Sequence, residues 1–176
     1  RSPLCYGGGI KSVETAKKIL SLGVEKVAVS TEAIKNVFFL NELVMAIGAQ
    51  SVVVVLDVKK KLLGGHELMI SNGSKKTGYT PIEFLEKIRG VGVGEIVINS
   101  IDNDGMMTGY PFDLFDKLKK HIDVPMTILG GAGTETDLKS AVARYGTIGV
   151  AAGSYFVYKG KYKAVLIDYP SNPRDI

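Results

Sequence analysis

The chain of 176 residues has no tryptophan, one cysteine and two histidines. A single cysteine, Cys5, cannot close an internal disulfide, so a reducing cytoplasm is the expected compartment. So few soft ligands also argue against a metal centre. Asp102 and Asp104 sit close together in "INSIDNDG", but no His or Cys joins them, and no metal is expected. No apolar run reaches the roughly 20 residues a membrane span needs, and no stretch resembles a signal peptide, so no membrane association is expected. Dense Lys/Arg blocks are missing too. The net charge of +4 suits anionic small molecules and speaks against nucleic acid.

What is present is ordinary in bulk and unusual in arrangement. Hydrophobic residues make up 45% and charged residues 23%, enough for one domain with a sizeable core. The stretch "YGGGIKSVETAKKILSLGVEKVAVST" (6–31) superposes without a gap on "LGGAGTETDLKSAVARYGTIGVAAGS" (129–154) at an offset of 123. Around these copies, short β-branched runs alternate with helical patterns. Strands are expected at Leu4–Tyr6, Lys26–Ser30, Ser51–Asp57, Glu95–Ser100, Met126–Leu129 and Ile148–Ala152, with little polar alternation, as in parallel strands covered on both faces. Helices are expected near 12–22, 36–47, 81–90, 112–120 and 134–145. In the last, Leu138, Ala141, Val142 and Tyr145 form one apolar stripe. Ser12 is a candidate N-cap, Gly23 and Gly146 close the two repeat helices, and Pro81 opens another.

This alternation predicts an α/β protein with a parallel sheet, open and doubly wound or closed as a barrel. The repeat favours closure. Its offset holds about four βα units, so two halves make eight units and about 250 residues, the size of a (β/α)8 TIM barrel. Only six strands are legible. Residues 1–176 are therefore expected to be a single barrel domain carrying strands three to eight, without the first two βα units.

Each repeat reads strand, Gly-Gly, helix, strand, small hydroxyl. Glycines after a strand let backbone N–H groups approach a ligand, and the helix end adds positive potential. Ser30 and Thr31 end one copy and Gly153 and Ser154 the other. A glycine pair can equally serve only a tight turn, but two copies with matching hydroxyls point to two phosphate cradles facing each other across one mouth. Asp57 ends the strand "VVVVLDVKK", where barrel carboxylates act as acids or bases; a helix cap or a structural ion pair with Lys59 is the plain alternative. "INSIDNDGMMTGY" offers Asn99, Asp102 as a second carboxylate, and Asp104-Gly105 as backbone for the second phosphate; "NDG" is also simply a good turn. The segment after Asp57 is long and reads as a small hairpin with "SNGSKKTG" near its tip or return, suited to a lid. Lys26 and Glu95 open otherwise apolar strands at the opposite end, where charges support stability or ring an opening. His66 and His121 look incidental.

In this order, "GGGI", "VST", "VVLDVK", "SKKTG", "GEIVINSIDNDG" and "GGAG" resemble the cyclase subunit of imidazole glycerol phosphate synthase, over residues 3 to about 156. The resemblance implies a barrel of two half-barrels, a doubly phosphorylated aminoimidazole-carboxamide ribulosyl substrate, and a glutaminase partner. The partner's ammonia passes through the barrel to the mouth, and lyase and ring-closing chemistry follows. No cofactor is implied. Asp57 matches one of two catalytic aspartates; the other falls 123 residues earlier, upstream of Arg1. Gly9, Ser30 and Thr31 match the first phosphate site; Asp104, Gly105, Gly131 and Ser154 match the second. Ser74 falls in the closing loop, and Lys26 and Glu95 match two charges where ammonia enters. The sequence departs from the pattern at Asn99, where relatives carry Thr, at Leu129, where a Ser is common, and in the tail "YKGKYKAVLIDYPSNPRDI", which lacks a long final helix. The tail and "PLCYGGG" are more similar to a paralogous branch associated with surface polysaccharides, in which ammonia builds an amidino or amide group on a sugar. An isomerase of the same barrel type, a non-catalytic ammonia conduit and a flavin-binding barrel are the alternatives.

Overall fold

A computed structural model describes residues 3–160 and 162–167. Six parallel strands make its frame: β1 (Cys5–Gly7), β2 (Lys26–Val29), β3 (Val52–Lys60), β6 (Glu95–Ser100), β7 (Met126–Leu129) and β8 (Gly149–Val150), paired in that order. Strands that follow along the chain are neighbours in space, so the winding never reverses. That is the arc of a (β/α)8 barrel, and the doubly wound alternative is excluded. Between β3 and β6 the chain adds an antiparallel excursion, β4 (His66–Ile70) and β5 (Lys75–Lys76), continuing the outer end of β3. Among the described residues, β1 and β8 each pair along one side only.

The helices are α1 (Val13–Ser21), α2 (Thr31–Lys35), α3 (Val37–Ile47), α4 (Pro81–Ile88), α5 (Phe112–Lys119), α6 (Glu135–Tyr145) and α7 (Ser154–Val157). The sequence reading missed α2, a single turn-rich segment directly after β2. Local chemistry explains the starts. Ser12 Oγ accepts the Thr15 N–H. Thr80 and Glu83 form a reciprocal capping box with Pro81 at the first position, and Thr134 and Asp137 form another.

The core lies between strands and helices. Ile96, Ile98, Val54, Leu56, Ile128, Phe84, Phe115 and Leu40 are buried there. The strands do alternate, contrary to the expectation of uniform cover. In β6, Glu95, Val97 and Asn99 are half-buried while Ile96, Ile98 and Ser100 are buried. One face meets the helices and the other lines the barrel interior, where polar groups gather. The α6 stripe also needs correction: Leu138 and Ala141 are buried, but Val142 is 41% exposed. It lies on the flank of the face set by residues 138, 141 and 145. The tail forms a short hairpin, β9 (Tyr158–Lys159) with β10 (Ala164–Val165); residues 161 and 168–176 of the expected tail signature lie outside the described residues. Among the described residues no helix is long and apolar enough to cross a membrane.

Candidate active site

The C-terminal ends of the strands carry the candidate chemistry. Asp57 lies two residues beyond Val55 on β3, on the same inward face, and pairs in register with Asn99 of β6. Asn99 Nδ2 donates to Asp57 Oδ1 at 2.9 Å. The structural ion pair with Lys59 is not what meets Asp57: its partner is this amide. Burial raises the Asp57 carboxyl above its ordinary value of 3.8; the Asn99 hydrogen bond pulls it down and the charge of Asp104 pushes it up again. A carboxyl poised this way can hold and deliver a proton nearer neutrality.

The first repeat copy opens onto a cavity of about 480 Å³. Gly9, Ser30 and Thr31 all line it, together with Lys11, Lys35 and Val55. Two further lining residues, Ser71 and Asn72, come from the β4–β5 turn, and the Ser71 N–H donates to Thr31 Oγ1 at 3.0 Å. Ser71 and Asn72 both adopt positive φ, 55° and 56°, a conformation that costs non-glycine residues energy and clusters at functional turns. Sequence reading named Ser74 in this loop. The structure instead has Ser74 Oγ donate to the Ser71 carbonyl at 2.6 Å, bracing the turn that presents its neighbours. The "SNG" triplet was the available signal. Lys11 and Lys35 were missed because isolated lysines on helix-flanking positions carry no pattern.

The second copy is built differently. Three loops converge: a Cβ added to Gly105 would lie 3.8 Å from Ser154 Oγ, and one added to Gly131 would lie 3.4 Å from the Asn103 Cβ. Asp104 follows Asn103, and its backbone N–H bonds the Ser100 carbonyl at 3.0 Å. Asp104, Gly105, Gly131 and Ser154 are thus gathered at the ends of β6, β7 and β8. Asp102 is drawn elsewhere. Its Oδ2 accepts the Lys60 N–H at 2.6 Å, tying the outer end of β3 to the loop, and it lines a groove with His66 and Lys117. His121 Nδ1 sits 2.8 Å from Glu86 Oε1 on the helical exterior.

Two buried polar atoms have no partner among the described residues, Ser30 Oγ and Asn99 Oδ1. An unmade buried hydrogen bond costs about 1–3 kcal/mol, and both atoms belong to the predicted site. At the opposite end of the strands, Lys26 Nζ meets Glu95 Oε2 at 2.7 Å. The two charges that open β2 and β6 face each other across β3.

A family model described as "Histidine biosynthesis protein" matches residues 1–163. A protein of Vibrio vulnificus (strain YJ016), named "Putative imidazole glycerol phosphate synthase subunit hisF3", is 52% identical over 172 residues, 97% of this chain and 66% of its own length. A HisF-named protein of Leptospira interrogans is also 52% identical, over 97% of this chain and 68% of its own. "Imidazole glycerol phosphate synthase subunit HisF" of Dictyoglomus thermophilum is 35% identical over 88% of the chain and 61% of its own length. The chain spans about two thirds of the length of these relatives. With the matching barrel arc and the doubled glycine turns, these similarities place the chain in the histidine biosynthesis protein family, on its imidazole glycerol phosphate synthase HisF branch.

Proposed function

We propose that this barrel belongs to a cyclase subunit that uses glutamine-derived ammonia on a bisphosphorylated aminoimidazole-carboxamide ribulosyl nucleotide, giving imidazole glycerol phosphate and an aminoimidazole-carboxamide ribotide. The observation that carries it is the mouth itself: a carboxyl held above its usual range by burial between two hydroxyl-bearing glycine turns. One phosphate takes the cavity of Gly9, Ser30 and Thr31. The other takes the backbone N–H groups of Gly105 and Gly131 and the Ser154 hydroxyl, with Asp104 pinning the loop through its N–H to the Ser100 carbonyl. Asp57 is the acid, Asn99 orients it, and the Ser71–Ser74 turn covers the ligand. A glutaminase docks at the far end, where Lys26 and Glu95 guard the entrance.

Two further βα units close the arc in this reading. The one-sided pairing of β1 and β8 among the described residues, and the exposure of Leu4 before β1 and Tyr6 within it, support further neighbours there, since raw edges are normally covered.

A second reading draws on the identities, 52% to the hisF3-named relative against 35% to a plainly named HisF. The barrel then passes ammonia to a different acceptor, a surface-polysaccharide sugar, and its own ring chemistry is altered. The deciding measurement is ammonium-dependent turnover of the bisphosphate substrate by the full-length protein, with D57N alongside. A cyclase turns over, and D57N loses about 100-fold or more. No turnover by the unmodified protein, with glutaminase stimulation intact, selects the second reading.

A further inference from the structure

At the base of the barrel, both oxygens of Glu95 are held. Oε2 accepts from Lys26 Nζ and Oε1 accepts from Thr127 Oγ1, each at 2.7 Å. Lys26 begins β2, Glu95 begins β6 and Thr127 lies on β7. Between β2 and β6 runs β3, whose Val53 pairs with both Ala28 and Glu95. One carboxylate therefore ties three strands together across a fourth. The acid is the more enclosed member, 18% exposed against 40% for the lysine.

Thr127 has its place because of a glycine. It pairs in register with Gly149 of β8. A Cβ at position 149 would stand 1.9 Å from Thr127 Oγ1, so any side chain there would displace the hydroxyl. The repeat adds a second, independent line. At the offset of 123, Gly149 is the counterpart of Lys26 and Thr127 the counterpart of Leu4. The first copy carries a cation; the second has no side chain there, and a hydroxyl from the adjacent strand occupies the space and donates to the acid that the cation pairs with.

We infer that Thr127 is a positioning residue of the barrel floor: it fixes Glu95 so that the Glu95–Lys26 pair closes the base, with Gly149 making room. The inference rests on the ammonia reading above. A carboxylate held on one oxygen alone keeps a free rotor, whereas a second, charge-assisted hydrogen bond fixes its plane. With the hydroxyl removed, the floor no longer closes in register with the glutaminase and ammonia escapes before reaching the mouth.

The test uses the full-length protein with its glutaminase partner and compares T127V, T127S and T127A. In T127V, product formed per glutamine hydrolysed should fall about tenfold, the fold-change a lost hydrogen bond to a charged group carries. Turnover at saturating external ammonium should stay within about twofold. T127S should restore the ratio. T127A removes the hydroxyl and leaves Gly149 in place, so it adds no contact and should be uncoupled like T127V. An unchanged ratio in T127V, or equal loss with glutamine and with ammonium, overturns the inference. A crystal structure of T127V decides it even if the unmodified protein shows no turnover and the cyclase reading falls. Glu95 turned away from Lys26 supports the positioning role; a pair still at hydrogen-bond distance overturns it.

Discussion

Gly8 and Gly131 occupy the same place in the two repeats and have nearly the same backbone, φ +114° and +116°, yet they do different work. A Cβ on Gly8 would meet nothing within 4 Å, while one on Gly131 would lie 2.2 Å from the Gly109 carbonyl oxygen. Gly131 also accepts the Gly109 N–H at 2.9 Å. In the first copy the glycine faces an open cavity; in the second, backbone packs on backbone. Similar motifs thus leave one glycine turn open to a cavity and pack the other against neighbouring backbone.

The sheet registers diverge as well. Cys5 pairs with Lys26, but its repeat counterpart Ile128 pairs with Val150, and Gly149 pairs with Thr127. A slip of one residue turns every side chain to the other face. Tyr6 accordingly shares a register position with buried Val27, whereas its counterpart Leu129 is level with Asn99 on the inner face. A gapless sequence repeat does not mean superposable geometry.

The sharpest way to break this comparison is alanine at both glycines. G8A should cost only the strain of left-handed backbone, about 1–2 kcal/mol. G131A adds a backbone clash and should cost about 4 kcal/mol or more, read by urea unfolding of the full-length protein. Equal losses would mean that conformation alone sets both. The helix starts offer a milder contrast. Asp137 Oδ2 accepts from the Gly133 N–H, the Thr134 N–H and the Thr134 hydroxyl, all at 2.9 Å, whereas at the start of α1 Ser12 Oγ accepts a single backbone N–H, that of Thr15. T134A should cost about 1 kcal/mol and S12A about 0.5 kcal/mol; the reverse order would deny the second copy its structural emphasis. The smallest expected change lies between the two turns, at Asp57. Its carboxyl is raised in the folded state, so its favourable contribution is complete below the ordinary value of 3.8 and lost as pH rises through the raised one. D57N should therefore gain stability relative to the unmodified protein over that rise and level off above it. A pH-independent difference would place Asp57 in ordinary solvent.

Strand order, helix positions and the glycine turns were legible in the sequence because they are written in short-range signals: β-branched runs, a 3.6-residue period, and Ser, Thr, Pro and Gly at the ends. The placement of Asp57, Ser30 and Thr31 at strand ends was legible too, since strand ends in a barrel converge on one mouth. What the sequence could not specify was who meets whom. The Ser71 N–H reaches Thr31 over 40 positions, Asn99 reaches Asp57 over 42 and Lys26 reaches Glu95 over 69. Those partners depend on sheet register and on the path of the β4–β5 turn, which no local pattern encodes. Thr127 was silent for that reason: as one threonine in an apolar strand it resembles β-propensity, and only the closed space at Gly149 turns it toward Glu95. Composition and periodicity determined the barrel arc, because burying apolar faces is a local demand repeated along the chain; tertiary structure alone decided which glycine turn stayed open and which carboxylate oxygen found a donor, because those outcomes belong to strands brought together only by the fold.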